Sequence, residues 1–376
     1  MLCRFLVIYS LLAIGACRQS INPKVPTLNH PVPYSALLLS TLAACLAIGC
    51  DQPDAYCVCS TSQKESKAAT KAFLAKNRER YRRSIRRARS WLDGLTVDPV
   101  KLRAAGIKGK KKLVELLDAY VRLHAIASEK EKIRILDRVR AVVAVTYTPE
   151  YHDMLTISDK HFKQDSTSYL RAALLMEKLG MDTKMYRSEI AKIHERLNGH
   201  MRKRGSHQKM TFHWYYSYFG LEEPFDLAAG FESGIIASRL SPYSFNSNLQ
   251  VYHLTHEIFV PYEYGEKLES DYFSRADLEY LQHALDRLTV YYIMNNDPDI
   301  IAELISCLRL LRMTDLSVYR EGLEYLLSSQ KPEGKWGDYE RYRKRYGDLV
   351  DQGFYLHTTT VTIKALSIAF DFPEKP

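Results

Sequence analysis

Cysteine is nearly missing from the body of this 376-residue chain: six of its seven cysteines fall in the first 60 residues, and only Cys307 lies beyond them. That excludes a disulfide framework. Cys307 sits in an apolar helical run and reads as a small core residue. No Gly-rich phosphate loop, Gly-x-Ser-x-Gly elbow or Cys-x-x-Cys pair occurs, so the common signatures of nucleotide, esterase and thiol chemistry are lacking. No stretch reads as a strand. Excess charge is also lacking outside one segment. The net charge is +9, and Lys71–Trp91, with nine Lys/Arg against Glu79 alone, supplies +8 of it. A nearly neutral remainder argues against nucleic acid as a partner.

What is present is helical periodicity. The chain is 46% hydrophobic, enough for a large core. Leu113, Leu116, Leu117, Tyr120 and Leu123 line one helix, and Ile133, Leu136, Val139, Val142 and Val143 line the next, so Lys112–Val145 reads as a helical hairpin. Further helices are expected over Ser166–Leu179, Asp182–Leu197, Arg202–Phe219, Phe225–Leu240 and Asn246–Val260. The series continues with Arg275–Met294, Asp299–Met313, Leu316–Ser329 and Thr358–Phe370. About a dozen short antiparallel helices suit an all-α layered barrel or a superhelical solenoid. The expected division is 1–60 as signal and tether, 61–145 as a basic helix plus hairpin, and 146–376 as the main domain.

The first 60 residues look like a targeting segment. Tyr34–Gly49 carries no charge and ends at Cys50, short for a membrane span but suited to a signal-peptide apolar region. Ala47-Ile48-Gly49-Cys50 resembles a bacterial lipobox, in which the cysteine becomes the lipidated first residue. Ile14-Gly15-Ala16-Cys17 matches as well, and a two-pass anchor is the other reading. The resemblance implies lipidation at Cys50 and a lipid-anchored place in the bacterial envelope, facing the periplasm or exterior. Within the basic segment Leu74, Tyr81, Ile85, Ala88 and Leu92 form an apolar stripe. It reads either as a helix lying on anionic lipid headgroups or as a packed helix with a solvated face.

Near the C-terminus the chain runs Gly322-Leu-Glu-Tyr325-Leu326, then Gln330-Lys-Pro-Glu-Gly334-Lys-Trp336. Pro332 and Gly334 end the helix and turn the chain, and Trp336 folds back so that its indole N–H reaches a carbonyl near the turn. This single copy resembles the QW motif of squalene cyclases, with Gln330, Gly334 and Trp336 as its structural residues. The resemblance implies the α/α toroid of terpenoid cyclases and prenyltransferases, with alternating inner and outer helices, closed or short of closure, around a central cavity. The Asp-x-Asp-Asp motif of squalene–hopene cyclases and the zinc pattern of protein prenyltransferases are missing, so the resemblance bears on fold more than activity. Thr255-His256-x-x-Phe259, the nearby Gly265 and Asp299-x-x-x-Glu303-Leu304 also resemble an uncharacterised group of bacterial toroid-like domains.

The candidate site residues are His256, His357, Asp299 and Glu303. His253, His256 and Glu257 share one helix face and suit a metal or an acid–base pair. His357 precedes Thr358-Thr359-Thr360, a capping run that places the imidazole at a helix N-terminus. Asp299 starts a helix beside Pro298 and is placed to orient an imidazole or share a metal. His256 and His357 are expected to converge on one pocket with Asp299 or Glu303. The expected function is an envelope lipoprotein whose cavity holds a lipid-like or saccharide-like ligand, with hydrolase, lyase or cyclase chemistry. The alternatives are a non-catalytic scaffold for another envelope protein and a cytoplasmic terpenoid-cyclase-like enzyme. No cofactor is assigned by the sequence.

Overall fold

The computed structural model describes residues 55–372 except 145 and 147, with side chains from 67 onward. The apolar stretch, Cys17 and Cys50 lie outside the described residues. Among those described, every regular element is helical: the protein is all-α. Residues Val58–Pro376 form one compact unit, in which the early hairpin packs with the later helices.

The chain begins with the long basic helix α1 (Ala55–Asp93) and a short α2 (Pro99–Ala104). The hairpin follows as α3 (Gly109–Ile126) and α4 (Glu129–Ala144), then α5 (Asp159–Lys178), α6 (Lys184–Met201) and α7 (Ser206–Phe219). The expected helix over 225–240 is broken into α8 (Leu227–Glu232) and α9 (Ile235–Ser238). The break is at Gly234, where a Cβ would stand 2.7 Å from Glu257 Oε2. The Glu257 carboxylate accepts the Ile235 and Ile236 N–H groups, at 2.8 and 2.9 Å, and so caps α9. Next come α10 (Asn248–Phe259), α11 (Arg275–Met294), α12 (Pro298–Leu310), α13 (Ser317–Ser328), the short α14 (Arg343–Tyr346) and α15 (Leu356–Asp371).

Six helices touch one another in a circuit. Every residue of α12 is buried, as are most of α3 and α15, which marks interior helices. Helix α3 contacts α5, α5 contacts α7, α7 contacts α10, α10 contacts α12, α12 contacts α15, and α15 returns to α3. The helices between them bury one stripe only: α4 buries Ile135, Val139, Val142 and Val143 against α3. Helix α6 lies on α5 and α7, α11 on α12 and α13, and α13 on α12 and α15.

The Gln330–Trp336 turn ties the two ends of this unit together. Trp336 is fully buried, and its indole N–H donates to Leu326 O at 2.6 Å, as the spacing predicts. Its backbone N–H donates to Thr359 Oγ1 of α15. The Gln330 amide donates to Ser84 O on α1 and to Gly334 O, and accepts from Arg87 Nε. Gly334, at φ +106°, lets the turn approach α1 so closely that a Cβ would stand 2.3 Å from Arg87 O. The motif is therefore the dock for α1, through backbone acceptors that periodicity does not reveal.

Candidate functional site

On α3, Lys111, Glu115, Asp118 and Arg122 recur at spacings of four, three and four, so they share one face of the helix. That face meets the neighbouring members of the six-helix circuit. Glu115 Oε1 lies 2.8 Å from His357 Nδ1 on α15, and His357 Nε2 lies 3.6 Å from Asp299 Oδ1 on α12. One imidazole thus stands between two carboxylates from two other helices. Lys112 and Lys111 flank Glu115 at 3.0 and 3.3 Å. Burial acts to raise the Glu115 pKa, but Lys112, His357 and Lys111 together outweigh it and hold the carboxyl well below its usual range. Glu115 is an anion at any pH that matters here.

The other carboxyl on α12 behaves oppositely. Glu303 accepts a hydrogen bond from Thr255 on α10, and burial, followed by the negative charge of Asp299, pushes its pKa up to about 7. Asp299 Oδ2 accepts from the Tyr252 hydroxyl, while its Oδ1 accepts no hydrogen bond from the protein. The Tyr339 hydroxyl pairs with Thr358 at 2.7 Å, and its pKa is raised by burial and then by the charge of Asp299. A proton-bearing Glu303, on the same helix as Asp299 and within electrostatic reach of His357, supplies an acid partner to the imidazole.

His357 and Asp299 are brought together as expected, but not in the expected way. A π-helical turn, Asp351–Tyr355, runs directly into α15, so His357 lies within a continuous helix and not at its start. The three threonines are not caps. Thr358 pairs with Tyr339, Thr359 accepts from Trp336 N–H, and Thr360 donates to Glu115 O. Buried hydroxyls at interior positions satisfy neighbouring helices instead of the local backbone.

His256 belongs to a cluster of three histidines, and Lys111, Arg171 and Lys364 act on it as well. Its ring lies 5.2 Å from that of His207 on α7, and His207 stacks on His253 at 4.1 Å. Burial, then His207 and Lys111, depress the His256 pKa well below normal, and burial with His253 lowers His207 to about 4. These are neutral imidazoles. Glu257 is turned away to cap α9, so the expected His253, His256 and Glu257 face is not a ligand set, and no cluster of metal-binding side chains is found among the described residues.

Deeper along α3, Asp118 pairs with Arg171 of α5 at 2.5 Å. Their side chains keep 15% and 28% of their surface accessible. Glu115, Tyr252, Tyr339, Arg171 and His207 were not singled out by sequence. The charged stripe of α3 was the one readable signal among them.

The comparisons with known proteins bear on family alone. No curated protein and no solved structure is matched. The family described as a domain of unknown function, DUF6895, matches residues 78–365, and the chain belongs to that family.

Proposed function

We propose that this DUF6895 member is an α/α toroid whose interior binds a hydroxyl-rich, saccharide-like ligand and acts on it by general acid–base catalysis, as a hydrolase or lyase. The observation that carries the reading is the Glu115–His357–Asp299 row, drawn from three helices, with Glu303 poised to hold a proton near neutral pH. The six-helix circuit supports the toroid. In a hydrolytic step Glu303 would protonate the leaving oxygen, and the His357–Asp299 pair would take the proton of the attacking water. The charged lining favours a ligand with many hydrogen-bonding groups over the apolar chain that a terpenoid cyclase folds. The test is incubation with a panel of neutral and acidic oligosaccharides, read by mass spectrometry. Asp299→Asn and His357→Ala should each abolish conversion while leaving the melting temperature within a few degrees of wild type. A wild-type protein that neither binds nor converts any of them removes the saccharide reading. A loss of stability with no specific defect favours the scaffold.

We also infer that the protein is an envelope lipoprotein attached through Cys50 and that α1 rests on anionic lipid. Beside α1 is a groove of about 360 Å³, with Arg78, Arg82, Arg86 and Arg89 at its rim and Ile85 and Leu123 among its apolar walls. Arg82 and Arg86 share the single carboxylate of Glu79 and are both more than half exposed. Arginines beside apolar surface suit phosphate headgroups above acyl chains. No helix among the described residues is long and apolar enough to cross a membrane.

A further inference from the structure

Lys364 lies on α15 two turns beyond His357, at a position sharing its face, and is 92% buried. No carboxylate among the described residues pairs with it, and no hydrogen bond from its Nζ to the protein is found. Its neighbours are aromatic rings, the cations Arg122 and Arg171 and the carboxyls Asp118 and Glu303. Nζ stands 4.9 Å from the Phe259 ring centre and 5.9 Å from that of Tyr264. Gly265, at φ +87°, makes room for it. The point where a Cβ on Gly265 would stand is 3.3 Å from Lys364 Cε and 3.5 Å from Arg122 Nη2.

Arg122 is itself poorly matched. Its Nη2 contacts Glu266 and Gly265 O at 3.3 and 3.4 Å, at the long end of hydrogen bonding, and its Nε donates to nothing in the protein. Arg171 pairs with Asp118 but likewise has an Nε without an acceptor. Lys364, Arg122 and Arg171 are thus accompanied by two carboxylates, Asp118, paired with Arg171, and Glu266, shared by Arg122 and Lys178, while Glu303 holds its proton until about pH 7. Buried cations left without acceptors are costly. An amine kept in such a place through burial and like charge suits anion capture.

We propose that Lys364, with Arg122 and Arg171, forms the seat for an anionic oxygen group of the ligand, a carboxylate or phosphate, held below the acid–base row. The proposal rests on the reading of the interior as the ligand site and narrows it to acidic substrates. The ligand would be polarised along the interior, its anionic end toward Lys364 and its reacting bond toward His357 and Asp299. Lys364 has no carboxylate of its own, and Arg122 and Arg171 each keep an Nε without an acceptor, which oriented binding of a negative group explains.

The test uses the full chain, with inorganic phosphate, glucuronate and glucose as probes in calorimetric titrations. Phosphate and glucuronate should bind more tightly than glucose. K364M should weaken both anions by about tenfold, the size of one lost charge-assisted hydrogen bond, and K364R should restore most of the loss. Asp299→Asn should leave phosphate binding unchanged while abolishing oligosaccharide conversion. If K364M does not fold, wild-type protein is acylated at pH 8 with and without phosphate, and modification of Lys364 is mapped by mass spectrometry. Protection by phosphate supports the site. Anions bound no better than glucose, equal anion affinity in K364M, or no protection overturns it. Conversion of oligosaccharides with no preference for acidic ones would sink the anion seat alone. Lys364-dependent phosphate binding without any conversion would sink the catalytic reading alone.

Discussion

At the residue scale, two side chains carry the sharpest tests. Trp336→Ala removes a fully buried indole and its bond to Leu326 O, so a loss of about 3–5 kcal/mol is expected in denaturant unfolding. An unchanged midpoint would contradict the burial. Glu303 tests the electrostatics. Its folded pKa, about 7, lies above the ordinary 4.5, so the folded state keeps a proton that the unfolded chain gives up. Stability should therefore fall as pH rises from about 4.5 to 7 and level off above, by at most about 3 kcal/mol from this group. Glu303→Gln should remove that part of the slope, visible as a smaller difference between unfolding curves at pH 5 and pH 8. Asp299, Glu303 and His357 were legible in the sequence because polar residues interrupt otherwise apolar helices. Glu115 was hidden because a Lys-Lys-x-x-Glu run looks like any solvated helix start, and only the return of α15 onto α3 shows what it faces.

At the element scale, periodicity located α11 to the residue and most other helices to within a few. It failed where tertiary contacts set the local backbone. The run over 225–240 has helical spacing, yet the Glu257 carboxylate claims the N–H groups after Gly234 and splits it. The threonines of α15 look like caps only until the π turn before them is seen. The turn at Gly334 is the place to test how α1 is held. Gly334→Ala adds a methyl where Arg87 O already stands, at a φ unfavourable for alanine. It should cost well over 1 kcal/mol and raise amide exchange in α1 before the rest of the unit. Exchange that stays uniform along the chain would mean that α1 is held elsewhere.

At the scale of the whole molecule, the all-α class was readable from spacing, and the circuit of helix contacts was not, because no local pattern encodes which helix meets which. Attachment to a membrane belongs to this scale too. The proposed lipidation predicts that replacing both Cys17 and Cys50 by Ser removes an acyl anchor worth about 0.8 kcal/mol per buried methylene, so that most of the protein should leave the membrane fraction. What remains should sediment with phosphatidylglycerol vesicles but not phosphatidylcholine ones, and should be released by salt as the Debye length shrinks. Arg82→Glu with Arg86→Glu should abolish that residue of binding. Retention on neutral vesicles at high salt would contradict the arginine face as its source.

The return of α15 to α3 has a consequence for biosynthesis. Glu115, Lys111 and Lys112 emerge from the ribosome long before His357, and α3 must wait for α15 to cover it. Until then the nascent chain exposes the face of α3 that α15 covers, and Glu115 has its neighbouring lysines but not His357. Such distant pairings delay productive folding. A chain stalled before α15 should be a chaperone client, whereas completion of the last helix should release it in one step.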